Sequence, residues 1–293
     1  MRIGTRASAL ALAQARWVAE RLTTDGENVE IVEITTLGDR GAAFADKSRW
    51  VSELERALLE ERIDVAVHSA KDVPTELDDG LELVAVPERA DPRDAICGAS
   101  GLDGVAAGGR IGTSSLRRAA QIRSLREDVE VVTLRGNVDT RLRKLAAGEA
   151  DALVLALAGL QRLGRAAEAG GVLDALVPAA GQGALALEAR SGAFAGDRLA
   201  AVNHPPSQAC VAAERQLVHA LGASCNTPVG AHARWATGGR LRIDGWVGLP
   251  DGSAWLRDTV SGDPDGVGGE CAERMLAAGA AELLARAEAE VMR

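Results

Sequence analysis

Three features of this 293-residue sequence predict an α/β fold class with a smaller α+β tail. Strand-like and helix-like patterns alternate through the first half of the chain, which implies mainly parallel sheets. A charged, proline-bearing stretch, PERADPRD (Pro87 to Asp94), divides that half into two such runs. After HPPS (His204 to Ser207) the pattern changes to short strands followed by an alanine-rich helix. At about 150 residues per domain the length fits two domains, or three small ones.

In order, Arg2 to Thr5 reads as a short strand. Ser8 is the expected N-cap of an apolar-periodic helix from Ala9 to Leu22. VEIVEITT (Val29 to Thr36) alternates apolar and polar residues, as a half-buried strand does. Leu37 to Ser48 has no periodicity and is expected to be a mobile loop. Trp50 to Glu60 reads as a helix, Asp64 to His68 as a buried strand, and Leu81 to Val86 as another. The second run places Ile111 in a strand, Leu116 to Leu125 in a helix and Val129 to Leu134 in a strand. Asn137 to Ala147 follows as a helix and Ala152 to Leu157 as a strand. VPAAGQGAL (Val177 to Leu185) marks a second boundary and HPPS a third, with Ser207 capping a helix to about Leu221. The tail holds strands at Leu241 to Val247 and Ala254 to Asp258, then the terminal helix.

Composition narrows the function classes. Hydrophobic residues make up 47% of the chain, enough for ordinary cores. No apolar run approaches the ~18–20 residues of a membrane span. The N-terminal apolar stretch is broken by Arg2, Arg6, Gln14 and Arg16, so no signal peptide is read there and a cytoplasmic location is expected. The net charge of −9 argues against general nucleic-acid binding. Yet Arg110 to Lys144 carries nine bases against four acids, a local excess of +5. Such a segment can hold a small polyanion. Only Lys47, Lys71 and Lys144 are lysines. Arginine forks suit bidentate carboxylate binding; a GC-rich genome is the better account of the global arginine excess, but it does not explain the local cluster.

Chemistry-bearing residues collect at strand ends. VHSAKDVPTE (Val67 to Glu76) ends a buried strand in His68, Ser69, Lys71 and Asp72, and ligands in open α/β sheets bind beyond the carboxyl ends of strands. A solvated turn closed by Pro74 is the plain alternative. IGTSSLRR (Ile111 to Arg118) runs from strand through Ser114 and Ser115 into a helix, a natural anion site. Its alternative is a serine-capped helix with exposed arginines. LRGNVDTRL (Leu134 to Leu142) repeats the arrangement and adds Arg135 and Arg141. The four cysteines, Cys97, Cys210, Cys225 and Cys271, form no C-x-x-C pair, so neither a disulfide framework nor a zinc site is expected. Cys225 lies in a Gly/Pro-framed loop, GASCNTPVG. It is a candidate nucleophile or attachment point, or a small buried hydrophobe.

Taken together, GTRASALALAQA, VHSAKDVPTE, DPRDA, IGTSSLRR, LRGNVDTRL, LALAGLQRLG, PAAGQGALALE and CNTPVG resemble the porphobilinogen deaminase family, in the same order and over essentially the whole chain. The resemblance implies two α/β domains of the type II periplasmic-binding-protein kind with a cleft between them, plus a smaller α+β domain. It assigns residues 1–87 and 184–203 to domain 1, 91–183 to domain 2 and 206–293 to domain 3. It also implies a dipyrromethane cofactor held covalently by a thioether to Cys225. Four porphobilinogen units would be added head to tail with loss of ammonia, and hydroxymethylbilane released by hydrolysis. Asp72 matches the family's catalytic carboxylate. Lys71, Arg117, Arg118, Arg135, Arg141 and Arg162 match positions that bind carboxylates of cofactor or substrate. Arg6 and Ser8 match substrate-contacting positions, and Ser69, Thr113, Ser114 and Ser115 match hydrogen-bonding positions around the cofactor. No metal, nucleic acid or membrane partner is implied, and a monomer is expected.

One segment departs from the family pattern. In ADKSRWVSELE (Ala45 to Glu55) Lys47 is kept, but Ser48, Arg49 and Trp50 replace the usual glycine, aliphatic residue and phenylalanine. Two other functions remain to be separated from catalysis. A two-domain clamp for an anionic small molecule would not need both Asp72 and Cys225. An RNA binder would need aromatic residues, which are only 2% of the chain and absent from the basic segment.

Overall fold

The computed structural model describes residues 1–24, 26, 28–34, 48–194, 198–223 and 227–291, without the side chains of 48–50. The expected loop from Leu37 to Ser48, except Ser48 itself, lies outside the described residues, as do Lys47 and Cys225. The described residues form two compact units. Met1–Ala90 and Gly183–Val211 make unit 1, and Asp91–Gln182 and Ala212–Arg293 make unit 2.

The chain begins in unit 1 with strand β1 (Arg2–Arg6), helix α1 (Ala9–Thr24), β2 (Glu30–Ile34), α2 (Ser48–Leu59), β3 (Val65–Ser69) and β4 (Leu81–Ala85). Unit 2 follows with β5 (Asp94–Cys97), β6 (Arg110–Gly112), α3 (Leu116–Leu125), β7 (Glu130–Val132), α4 (Val138–Ala146), β8 (Ala152–Ala156), α5 (Leu157–Arg162) and β9 (Gly171–Leu173). The chain then returns to unit 1 as β10 (Leu185–Arg190). Helix α6 (Pro205–Ala220) contains the division between units. Beyond it come β11 (Val229–Trp235), β12 (Leu241–Gly248), β13 (Trp255–Gly262), α7 (Val267–Ala277) and α8 (Ala280–Val291).

Unit 1 holds a five-stranded sheet in the order β2-β1-β3-β10-β4. β1 runs parallel to β2 and β3, and β10 runs antiparallel to β3 and β4. Unit 2 repeats the plan as β7-β6-β8-β5-β9, with β5 the antiparallel strand. An antiparallel strand in fourth place, returning from beyond β9 in unit 1 and opening the chain of unit 2, is the strand order of type II periplasmic-binding-protein domains. Unit 2 also carries an antiparallel sheet, β11-β12-β13, against which α7 and α8 pack.

The central strands are buried almost throughout, as their continuous apolar runs require. β3 and β8 are buried at four of five positions, and β10 at five of six. In unit 1, Ile3, Val65, Val67 and Leu187 pack with Ala15, Val18 and Leu22 of α1. Ile111, Val154 and Ile122 form the corresponding core of unit 2. Ser8 caps α1 as expected, its Oγ accepting from the Ala11 N–H at 3.3 Å.

Several elements differ from the sequence reading. β5 begins at Asp94, the last residue of the stretch read as a linker and two positions after Pro92. β9 was not foreseen because its signal is broken by glycine. A Cβ on Gly171 would stand 2.1 Å from the Ser100 carbonyl oxygen, so only glycine fits. The terminal helix is two helices, interrupted at Gly279, whose φ is +100°. Among the described residues no helix is long and apolar enough to cross a membrane.

Candidate active-site elements

In unit 1 the parallel pairing of β1 with β3 puts their carboxyl ends on one edge of the sheet. Arg6 ends β1 and Ser69 ends β3. A single 3₁₀ turn, Ala70–Asp72, follows directly. The turn is held by the Ala70 N–H donating to Ala184 O at 3.0 Å and by the Val73 N–H donating to Ala70 O at 3.2 Å. Gln14 Nε2 on α1 donates to Ser69 Oγ at 2.8 Å. Lys71 and Asp72 are half-buried on this fixed turn, while Ala70 and Val73 point inward. Asp72 therefore lies three residues beyond the end of β3, on a turn tied back to the sheet through Ala184.

Unit 2 collects its polar residues in the same way. β6 runs parallel to β7 and β8, so the turns after all three strands share an edge. After β6, Thr113 is buried and its Oγ1 accepts from the Ser115 N–H at 3.2 Å. Ser115 caps α3, its Oγ accepting from the Arg118 N–H at 3.4 Å. Ser114 is exposed. After β7, Asn137 caps α4 through the Thr140 N–H at 2.8 Å. Arg135 is exposed, and Arg141 is half-buried with Nε donating to Gly136 O at 2.7 Å. After β8, α5 carries the half-buried Arg162. Burial pulls Arg162 down to about 10. Burial, and then the nearby Arg118 charge, pull Arg141 down to about 10. Both are cations short of water, and a nearby anion would relieve them.

Arg117 and Arg118 are not the exposed arginines of a plain capped helix. Each is only 5% exposed, and both turn onto Asp94 of β5, which is fully buried. Arg117 donates to Asp94 Oδ2 at 2.8 Å and to Val177 O at 2.7 Å. Arg118 donates through Nε to Asp94 Oδ1 at 2.9 Å. Gln182 Nε2 donates to the same oxygen at 2.8 Å and to Pro92 O at 2.7 Å. Burial alone would push the Asp94 carboxyl up, but the two guanidiniums override it and hold the group well below the usual carboxylate range. Burial lowers Arg117 even so. Two cations share one anion, which leaves one positive charge in excess in a dry site. The Arg117 Nε is buried and has no hydrogen-bond partner among the described residues.

Asp94 and Gln182 stand in the segments DPRDA and PAAGQGALALE, yet their part in the site was not read from sequence. The contact joins residues 88 positions apart, and no local pattern signals it. Among the described residues no group of His, Cys, Asp and Glu is placed to hold a metal ion.

The two units therefore define an α/β protein of the type II binding-protein plan with a carboxylate turn in one unit and a buried, cation-rich edge in the other. The chain belongs to the porphobilinogen deaminase family. Residues 1–195 match the family model described as "Porphobilinogen deaminase, dipyromethane cofactor binding domain", and residues 208–277 match "Porphobilinogen deaminase, C-terminal domain". The porphobilinogen deaminase of Thermus thermophilus is 46% identical over 294 residues, covering 97% of this chain and 98% of the relative. That of Deinococcus deserti is 45% identical over 306 residues, covering 96% and 97%. Among solved structures, immunogenic lipoprotein A from Vibrio vulnificus is similar at 12% identity and a TM-score of 0.45, over 71% of this chain and 96% of that one.

Proposed function

We propose that this chain is a transferase that condenses porphobilinogen units head to tail on a covalent dipyrromethane primer. Ammonia leaves at each addition, and hydroxymethylbilane is released at the end. The observation that carries this reading is the Asp94–Arg117–Arg118 cluster, which buries one more cation than anion and leaves the Arg117 Nε donor unused. A chain of pyrroles bearing acetate and propionate groups is a polycarboxylate, and its carboxylates complement that excess. The residues present therefore fit the cofactor that the family's N-terminal domain binds.

The dipyrromethane, when bound, supplies the pyrrole end onto which the first unit is joined. The chain's own residues do the rest. Asp72, on its fixed turn, offsets the positive charge that develops on the substrate as ammonia leaves, and it holds a proton for transfer. Lys71, Arg117, Arg118, Arg135, Arg141 and Arg162 hold carboxylates of cofactor and growing chain, and Arg6 and Ser8 hold those of incoming substrate. Ser69, Thr113, Ser114 and Ser115 supply hydroxyl donors. The Oγ atoms of Ser69 and Ser115 already accept hydrogen bonds from the protein, so their O–H groups are available to donate.

Cys225 is the proposed attachment point. The other three cysteines are buried. Burial pushes the Cys97 thiol up to about 11 and the Cys271 thiol up to about 12, which leaves little thiolate to react. The division into domains at 1–87 with 184–203, 91–183 and 206–293 is part of the same proposal. So are a monomeric state, a cytoplasmic location, and activity without metal or nucleic acid. Sedimentation, cell fractionation and assay in a chelator test those parts.

Incubation of the purified protein with porphobilinogen tests the reaction. Ammonia release in step with the appearance of a linear tetrapyrrole is expected. Porphobilinogen bound and recovered unchanged would make the protein a binder instead.

A further inference from the structure

Unit 1 contains a second buried ionisable cluster, behind the Asp72 turn. His68 of β3 and Glu188 of β10 are 5% and 0% exposed. In the antiparallel register Ala186 faces His68 and Glu188 faces Ala66. With a period of two, His68 and Glu188 therefore project from the same face of the sheet. His68 Nε2 lies 2.9 Å from Glu188 Oε2. The contact is close but off the line of the ring N–H, and neither carboxylate oxygen of Glu188 accepts a well-aligned hydrogen bond among the described residues. α2 packs on both β3 and β10, and it brings a third buried group, Glu55, at 5% exposure.

Two carboxylates and one imidazole thus share a dry face. Even with His68 protonated, two ionised carboxylates leave a net negative charge there. Asp78 adds to that charge. Arg190, at the end of β10, gives no relief of the same kind. Its guanidinium is turned onto the Leu58 and Ile63 carbonyls at 2.6 and 3.4 Å. The cheapest remedy in a low dielectric is to keep a proton on one carboxylate. Glu55 shows that demand, since burial, then Glu188 and then Asp78 push it up to about 7.

We propose that Glu55 holds the proton that lets it share this face with Glu188 and His68, and that the cluster, through His68, positions the Ser69–Asp72 turn. The inference rests on the assignment of Asp72 as the catalytic carboxylate. His68 directly precedes that turn, and Ala184, which accepts from the Ala70 N–H, lies just ahead of the same strand as Glu188. Loss of the Glu55 proton therefore loosens the pairing of β3 with β10 and the seat of α2 together. Glu55 in the unfolded chain titrates near ~4.3, below its folded value. Its favourable contribution is complete below the unfolded value and is lost as pH rises through about 7.

The test compares the parent with Glu55→Gln and Glu188→Gln across the pH range around 7. For the parent, kcat and melting temperature are both expected to fall as pH rises through that range. Glu55→Gln is expected to flatten both curves. Glu188→Gln is expected to lower kcat by about ten- to a hundredfold with little change in KM, with part of the loss recovered in Glu188→Asp. If Glu188→Gln does not fold, His68→Gln carries the same measurement. A Glu55→Gln protein whose melting temperature keeps the parent's pH slope would overturn the proton-holding role. A folded Glu188→Gln protein with the parent's kcat would overturn the positioning role. The melting curves need no turnover, so they read the cluster even if the proposed reaction fails, and a parent without turnover would count against that reaction alone.

Discussion

In each five-stranded sheet the antiparallel strand in fourth place buries a carboxylate, Glu188 on β10 of unit 1 and Asp94 on β5 of unit 2. The two acids occupy comparable places in the topology and meet opposite surroundings. Asp94 accepts from two guanidiniums and an amide at 2.8–2.9 Å and is held ionised. Glu188 faces one imidazole off its N–H line and a second carboxylate. Unit 2 thus has a cation to spare and favours an incoming anion. Unit 1 has an acid to spare and favours a retained proton. The shared strand order sets where the charge is buried. The side chains brought in by α3 and α2 decide its sign and what it calls for.

The sharpest way to break the comparison is to neutralise Asp94. Asp94→Asn leaves two buried guanidiniums facing an amide, and removing one partner of a buried pair costs about 3–5 kcal/mol. Denaturant unfolding is expected to show that loss, together with poor retention of the dipyrromethane. A loss below about 1 kcal/mol, the scale of an exposed pair, would mean that the cluster is not a tight ionic unit. The pH sign is also fixed. Asp94 is depressed below its unfolded value near ~3.9, so its contribution is present above that value and lost as pH falls further. The stability gap between parent and Asp94→Asn should therefore stay constant from neutral pH down to the unfolded value.

Asp72→Asn sharpens the comparison from unit 1, because Asp72 is half-buried on the turn after β3 rather than in the buried cluster. Removing such an electrostatic stabiliser costs about 10²–10³ in rate, or roughly 2.7–4 kcal/mol. Single-turnover ammonia release on cofactor-loaded protein should show it, with the melting temperature unchanged and Asp72→Glu less impaired. A rate within a few-fold of the parent would move the chemistry to another acid. The smallest expected effect is that of Arg141→Lys, which keeps the charge but loses the planar fork. About tenfold slower chain growth, or ~1.4 kcal/mol, is expected, with intermediates accumulating at one chain length. Equal slowing at every length would point to a general loss of fold instead.

The outline of the first half was legible because β3 and β8 are apolar runs, and the helices after β1, β6 and β7 carry the cap residues Ser8, Ser115 and Asn137. β5, β9 and β10 were less so. Pro92 disguised the start of β5, glycines at 170 and 171 the start of β9, and the Gly181–Gly183 turn the start of β10. Thr113 directly follows β6, Asp72 lies on the 3₁₀ turn after β3 and Arg141 on α4, so the polar residues singled out in the sequence fall on or just after the turns that leave these strands. The basic segment was read too simply. Arg110 pairs with Asp151 at the surface, and Arg117 and Arg118 share the buried Asp94, so two acids from outside the segment offset part of its excess. The two buried clusters were not legible at all. Glu188 and His68, and Asp94 and Gln182, come together only when distant strands pair.

The intact mass of the purified protein tests the central claim most directly, because a cofactor-bearing transferase must carry its primer covalently. An excess equal to two condensed pyrrole units is expected on the parent, retained when Cys97, Cys210 or Cys271 is replaced, and absent from Cys225→Ser, which should also be inactive. A parent without the excess, or a fully active Cys225→Ser protein, would contradict the account.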